Sequence, residues 1–238
     1  MRSIALANQK GGVGKTTTAI HLAHGLSLAG AKVVLFDLDP QGNASVAVEG
    51  MKGDGTTKGP LAGLRRADER FWILPSPGEG KSLAADARPD TKKLLALAKE
   101  LEKEVDWLLV DCPPRMDAWG WAGLRLCDQV LMPVQAEFFS MHGLSNMLET
   151  LREARSKHPG KADLMGVLVT MLDAEEAVAR EILEDLRDNL GDHLINTVIF
   201  RDAALVEAAS HGRTVFDYRL CSKGARSYGE LVREVLNG

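Results

Sequence analysis

Three groups of residues in this 238-residue chain carry chemistry by their type and spacing. The first is the run Asn8-Gln9-Lys10-Gly11-Gly12-Val13-Gly14-Lys15-Thr16-Thr17-Thr18, which follows an apolar segment and opens an amphipathic one. In that strand–loop–helix setting it reads as a phosphate-binding loop spanning Lys10, Gly11, Gly12, Val13, Gly14, Lys15, Thr16 and Thr17. The glycines let backbone N–H groups converge on phosphate oxygens, and the helix N-terminus adds partial positive charge. Lys15 reaches the β- and γ-phosphates, and the Thr16 hydroxyl is placed to ligate Mg²⁺. A glycine-rich turn that merely precedes a helix is the rival reading. The glycine spacing and the Lys15-Thr16 pair weigh against it. The usual pattern has Gly five residues before Gly14, where this chain has Gln9, and a second cation, Lys10, precedes the glycines. A second lysine aimed at the phosphates would matter most in a dry site; spacing alone leaves Lys10 equally well solvated. The second group is Asp37 and Asp39, at the end of an apolar run where open α/β sheets place ligand-binding residues; two acids capping a turn are the alternative. The third is Asp111 after Trp107-Leu108-Leu109-Val110, the setting of an acid that holds Mg²⁺ beside a phosphate loop, with Cys112-Pro113-Pro114 opening a second switch.

The elements that must position these groups alternate. Short aliphatic runs at Ser3–Ala7, Lys32–Asp37, Phe71–Leu74, Asp106–Val110, Gln129–Val134, Gly166–Met171 and Asn196–Phe200 read as strands, most of them too apolar to have a wet face. Between them lie helical stripes: Ala19, Leu22, Ala23 and Leu26; Leu94, Leu97, Ala98 and Leu101; Leu144, Met147, Leu148 and Leu151; Tyr228, Leu231, Val232 and Val235. Gly30 and Gly191 are natural left-handed helix ends. The fold class is therefore α/β, a mostly parallel twisted sheet with helices on both faces. The tracts Glu49–Pro60 and Pro75–Lys81 read as surface loops. The chain is expected to form one domain over 1–238, beginning at Met1 without a secretory leader. Hydrophobic residues make up 45% and the net charge is −4, which excludes a polycation built to coat nucleic acid. The longest apolar stretch, Leu164–Leu172, is far short of a membrane span. Cys112, Cys127 and Cys221 are odd in number and widely separated, so they form no disulfide framework and suit a reducing cytoplasm.

The runs KGGVGKTT, FDLDPQGNAS, VDCPP, PVQAEFFSMHGL and SHGRTVFDYRLCSKGARSY, in that order over nearly the whole chain, resemble the ParA/Soj chromosome- and plasmid-partition ATPases of the wider ParA/MinD family, P-loop proteins with a deviant Walker A motif. The resemblance implies ATP and Mg²⁺ as cofactors and a homodimer that closes face to face around two ATP molecules, the Lys10 of each subunit reaching the other's nucleotide. It implies slow, partner-stimulated ATP hydrolysis by Lys10, Lys15 and Asp39. Asp39 orients the attacking water, and Asp37, nearer the P-loop lysine, joins Thr16 and Asp111 at the metal. It places adenine near Met171 and the segment Phe200-Arg201-Asp202, where relatives have Pro-Arg-Asn; Met171 and Phe200 as plain core residues are the alternative.

The same resemblance implies non-specific binding of double-stranded nucleoid DNA by the ATP-bound dimer, through Arg201, Arg213, Arg219, Lys223 and Arg226. It also implies release by a ParB-like or cargo-bound activator with a basic N-terminal segment. Six bases and five acids between Arg201 and Glu234 make a mixed-charge solvated surface the competing reading. Stable membrane binding is not expected. A MinD-like membrane-cycling regulator and a reductase-type relative carrying an iron–sulfur cluster are the alternatives. The last helix mixes acids and bases where a lipid-inserting helix would be basic, and the cysteines do not match the reductases' arrangement. Trp119 and Trp121, two positions apart, would point roughly 200° apart on a helix. One of them is expected at a dimer or partner surface, with an ordinary core-plus-loop placement as the alternative.

Overall fold

The computed structural model describes residues 1–51, 53, 59–76, 88–136, 140–158 and 161–238, with 140–144 as backbone only. Eight strands, β1 (Arg2–Leu6), β2 (Val33–Asp37), β3 (Arg65–Asp68), β4 (Phe71–Leu74), β5 (Trp107–Asp111), β6 (Gln129–Gln135), β7 (Asp163–Leu172) and β8 (Leu194–Phe200), form one sheet in the order β3-β4-β2-β5-β1-β6-β7-β8. Every pairing is parallel except β3 with β4. The seven expected strands are all present.

Period two divides the sheet's side chains between two cores. Ile4 and Leu6 of β1, Val33 and Leu35 of β2, and Trp107 and Leu109 of β5 face one cluster; Ala5, Val34, Phe36, Leu108 and Val110 face the other. Both faces are dry because helices cover both, which is why these strands carry no polar alternation. On the first face lie α1 (Lys15–Leu28) and α9 (Lys223–Asn237), and on the second α3 (Thr91–Leu101), α4 (Ala118–Leu126), α5 (Ser140–Lys157) and α6 (Ala177–Leu190). The stripe on α9 is buried as expected. By contrast α1 is buried all round from Thr18 to Ser27, because α9 packs on the side the sheet leaves open. Gly30 (φ +98°) and Gly191 (φ +50°) both have positive φ, but Gly191, with ψ −125°, is not in the left-handed helical conformation expected of it.

The structure departs from the sequence expectation at short elements. β3 is an antiparallel edge strand of charged sequence, RRAD, with one neighbour and so no need of an apolar run. Past Pro40–Gly42 the chain enters α2 (Asn43–Ala47), a five-residue helix that no apolar stripe announces. Two further helices, α7 (Ala203–Ser210) and α8 (Val215–Tyr218), precede α9. Ser76, inside an expected surface loop, is buried. The rest of that tract from 77 onward, most of 52–58, positions 137–139 of the PVQAEFFSMHGL run and positions 159–160 lie outside the described residues.

Trp119 and Trp121 pack against one and the same cluster, Trp119 within it and Trp121 half-buried at its border with the Lys157 ammonium 5.0 Å above its ring. Side chains pointing about 200° apart meet the same core because α4 lies between α3 and α5, so apolar surface reaches round two of its sides.

Candidate functional site: a phosphate loop at the carboxyl ends of β1, β2 and β5

Strand order reverses at β1, whose neighbours are β5 and β6, and a cleft of about 540 Å³ opens at its carboxyl end, where doubly wound sheets bind ligands. The loop after β1 forms its floor. Asn8 is buried and pins the entry, donating to the Pro133 carbonyl (2.8 Å) and accepting from the Lys10 N–H (3.0 Å). Gln9, the departure from the usual glycine, donates to the Thr150 hydroxyl of α5 at 2.7 Å. Gly12 (φ +75°) and Gly14 (φ +82°) hold the left-handed turns that fold the loop back. Val13 is buried, and its carbonyl lies 2.8 Å from the Thr170 hydroxyl. No side chain caps α1 at Gly14, so the first N–H groups of the helix face the cleft beside Gly11, Gly12, Lys15, Thr16 and Thr17.

The charged residues meet beneath this floor. Lys15 is buried, and its Nζ donates to the Lys10 carbonyl at 2.9 Å. Burial pushes its pKa down, against the opposing pull of Asp111, Cys112 and Asp39. The Thr16 hydroxyl donates to Asp111 Oδ2 at 2.7 Å. Asp111 is fully buried, and its carboxyl is pushed well up by burial first and by its neighbour Asp37 second. Its other oxygen, Oδ1, has no hydrogen-bond partner among the described residues. A buried carboxylate oxygen in that condition is costly unless a cation or donor joins it. Beside the Thr16 hydroxyl, the donor set is all hard oxygen, which suits Mg²⁺. The residues therefore fit the metal.

Asp37 and Asp111 are direct partners in the β2–β5 register. Asp37, expected at the lysine and the metal, has its oxygens engaged elsewhere: Oδ2 accepts from the Ser45 N–H (2.9 Å) and hydroxyl (2.7 Å), and Oδ1 from the Asp39 N–H (3.2 Å). It anchors α2. Burial pushes its carboxyl up to about 6 despite those donors. Asp39 lines the cleft with Gln41, Asn43, Val46 and Ala47. Its carbonyl accepts from the Ser76 hydroxyl at 2.7 Å, and Ser45 Oγ in turn accepts from the Ser76 N–H at 3.1 Å. Ser45 and Ser76 were not legible as site residues, because only the fold brings α2 and the end of β4 together.

Met171, expected near the base, does line the cleft. It is one of the few non-glycine residues with positive φ (+53°), a conformation costing about 1–2 kcal/mol that buried neighbours must hold. Gln135 holds it, its amide 3.1 Å from Met171 Sδ and 3.3 Å from the Gly12 carbonyl. The other two residues expected at adenine are placed differently. Phe200 packs at the edge of the second core. Asp202 caps two helices: Oδ1 accepts from the Ala204 N–H (2.9 Å) and Oδ2 from the Gly224 N–H (2.8 Å). Partial burial pushes its carboxyl up, but those N–H donors prevail and hold it below the usual range. Neither is among the residues lining the cleft.

The five expected DNA-facing bases, Arg201, Arg213, Arg219, Lys223 and Arg226, are all exposed. The Arg219 charge and the Lys223 backbone N–H both act on Asp202, which follows Arg201 directly. Arg219 also pairs with Glu207 at 3.0 Å, and Arg213 lies on the loop between α7 and α8. Cys112 and Cys127 are buried, and burial pushes both thiols up.

Known proteins are similar to this chain in sequence and in fold. A family model described as the CobQ/CobB/MinD/ParA nucleotide binding domain matches residues 4–215. The chromosome-partitioning ATPase Soj of Thermus thermophilus is 38% identical, covering 99% of this chain and 96% of its own length. The sporulation initiation inhibitor protein Soj of Bacillus subtilis is 34% identical, over 98% and 97%. Among solved structures, cobyrinic acid a,c-diamide synthase from Mycobacterium smegmatis, with bound ATP analog and magnesium, superposes with a TM-score of 0.76 at 28% identity, covering 100% of this chain and 95% of that one. With that fold, that phosphate loop and full-length relatives that are chromosome-partitioning ATPases, the chain belongs to the CobQ/CobB/MinD/ParA nucleotide-binding family.

Proposed function

We propose that this chain is an ATP-driven dimerising switch that partitions or positions DNA or another large cargo. It would hydrolyse ATP slowly until a partner with a basic N-terminal segment stimulates it, and would bind nucleoid DNA non-specifically in its ATP-bound dimer. The observation that carries this reading is the Thr16–Asp111 pair beneath the loop, with buried Lys15 beside it and Asp39 across the cleft. Thr16 and Asp111 would hold Mg²⁺, which supplies charge neutralisation on the phosphates. Lys15 would fix the phosphate chain, and Asp39 would orient the water. Lys10 is exposed, directly precedes the cleft-lining Gly11 and has its backbone held at both its N–H and its carbonyl, a placement that suits contact with a second subunit. The chain would act as one domain in the cytoplasm, on the nucleoid. Among the described residues no helix is long and apolar enough to cross a membrane. The α9 stripe packs into the core, which leaves the membrane-cycling alternative without that face for lipid.

Analytical ultracentrifugation with ADP and with a non-hydrolysable ATP analogue tests the reading on three variants. Lys15→Ala should fail to bind nucleotide, Lys10→Ala should bind it and stay monomeric, and Asp39→Ala should dimerise without turnover. A Lys10→Ala protein that dimerises like wild type removes the cross-subunit role. A wild-type mass that is the same with either nucleotide removes the switch.

A further inference from the structure

The loop Gly212–Val215, which carries Arg213, is tied by three polar contacts to elements that also line the nucleotide cleft. Gly50, just past α2, donates its N–H to the Gly212 carbonyl at 2.9 Å. Two backbones meet there without room for side chains: a Cβ on Gly212 (φ +64°) would lie 2.5 Å from the Gly50 nitrogen. His24 of α1 places Nδ1 2.6 Å from the Thr214 hydroxyl. His21, one turn earlier, accepts the Val215 N–H at Nε2 (2.9 Å) and contacts the Thr17 carbonyl through Nδ1 (2.7 Å).

The His21 contacts define its state. A carbonyl only accepts and an N–H only donates, so the ring is neutral with its proton on Nδ1. Burial agrees, pushing the pKa down to about 4. The ring is stacked on Tyr228 (4.6 Å) and edge-on to Phe216 (6.0 Å), so it has no room to turn. It is a rigid link with one end on Thr17, which lines the cleft, and the other on the first residue of α8.

We propose that His21 is a positioning residue that couples occupancy of the cleft to the placement of the Arg213 loop, and so to the affinity of that face for duplex DNA. The DNA half rests on the function proposed above. A ligand shifts an equilibrium only by contacting its two states differently. The N-terminal turn of α1 is where nucleotide contacts would change, and the Thr17–His21–Val215 chain carries that change in two hydrogen bonds, the second of which crosses 194 positions of sequence. A merely packed histidine would lower stability when removed and leave the coupling alone.

Residue-resolved amide exchange on the wild-type chain, with Mg-ADP and with a Mg-bound non-hydrolysable ATP analogue, tests the link. The Val215 amide should differ at least about fivefold in protection between the two states; equal protection overturns the coupling. The second measurement is the ratio of duplex-DNA Kd values in the two nucleotide states. His21→Leu should bring that ratio close to one with nucleotide Kd within about threefold of wild type. His21→Gln, whose amide donates at one end and accepts at the other, should retain most of it. A Leu variant with the wild-type ratio, or a Gln variant no better than Leu, overturns the proposal. If His21→Leu does not fold, the Val215 amide decides. If wild type binds DNA equally in both states, the DNA reading fails, and the exchange result still scores the coupling by itself.

Discussion

Asp111 closes β5 and Asp202 stands two residues past β8, and the fold treats these two strand-end carboxylates in opposite ways. Asp111 is fully buried and takes one hydroxyl donor, leaving Oδ1 unpartnered among the described residues, so its carboxyl is pushed up. Asp202 is given a backbone N–H for each oxygen and is held down. The first retains an oxygen that a cation can complete; the second has spent its acceptors on capping α7 and seating α9. A strand-end acid in an α/β sheet is thus a candidate ligand only where the backbone around it does not already satisfy it.

The contrast breaks most visibly in turnover. Asp111→Asn keeps the shape and removes the charge, so Mg²⁺-dependent ATP hydrolysis should fall at least about 100-fold, close to 3 kcal/mol of transition-state stabilisation. Its nucleotide-free stability in urea should equal or exceed that of wild type, because a buried, partly unpaired carboxylate is gone. Turnover near the wild-type rate would place the metal elsewhere. Asp202→Ala should cost about 1 kcal/mol of stability through the lost cap and leave nucleotide affinity within twofold. A large loss of affinity would return Asp202 to the base pocket.

Acidification sharpens the same pair. The native Asp111 carboxyl binds its proton more tightly than the ordinary value of 3.8. Wild type should therefore gain stability relative to Asp111→Asn as pH falls from neutrality toward that value. Asp202 is shifted the other way, so the advantage of wild type over Asp202→Asn should be full at neutral pH and be lost only as pH falls below 3.8. Urea midpoints of the three proteins between pH 7 and pH 3 check both signs. Parallel curves would mean that the two carboxylates differ less than their surroundings imply.

Much of the site is legible because its signals are local. Glycines at Gly12 and Gly14 are read from spacing, and their positive φ angles are what that spacing requires. The elements that escape reading are short or satisfied from afar. β3 is charged because it is an edge; α2 is five residues long; Asp37, a metal ligand by family resemblance, turns to Ser45 once α2 folds beside it. Trp119 and Trp121 show the same limit, since helical geometry gives their directions but not how far the core extends around α4.

The order of residues alone determines the alternating α/β plan, the phosphate loop with its two lysines and the acids at the ends of β2 and β5, because each depends on neighbours within a turn or a strand. Tertiary structure decides which acid keeps an open oxygen, that Phe200 and Asp202 stand apart from the cleft, and that His21 bridges Thr17 to Val215. Each of the hydrogen-bonded outcomes includes a partner far along the chain: Asp111 with Thr16, Asp202 with Gly224, His21 with Val215. A donor or acceptor has no preference among such partners until the packed core brings one within reach and excludes water from the rest.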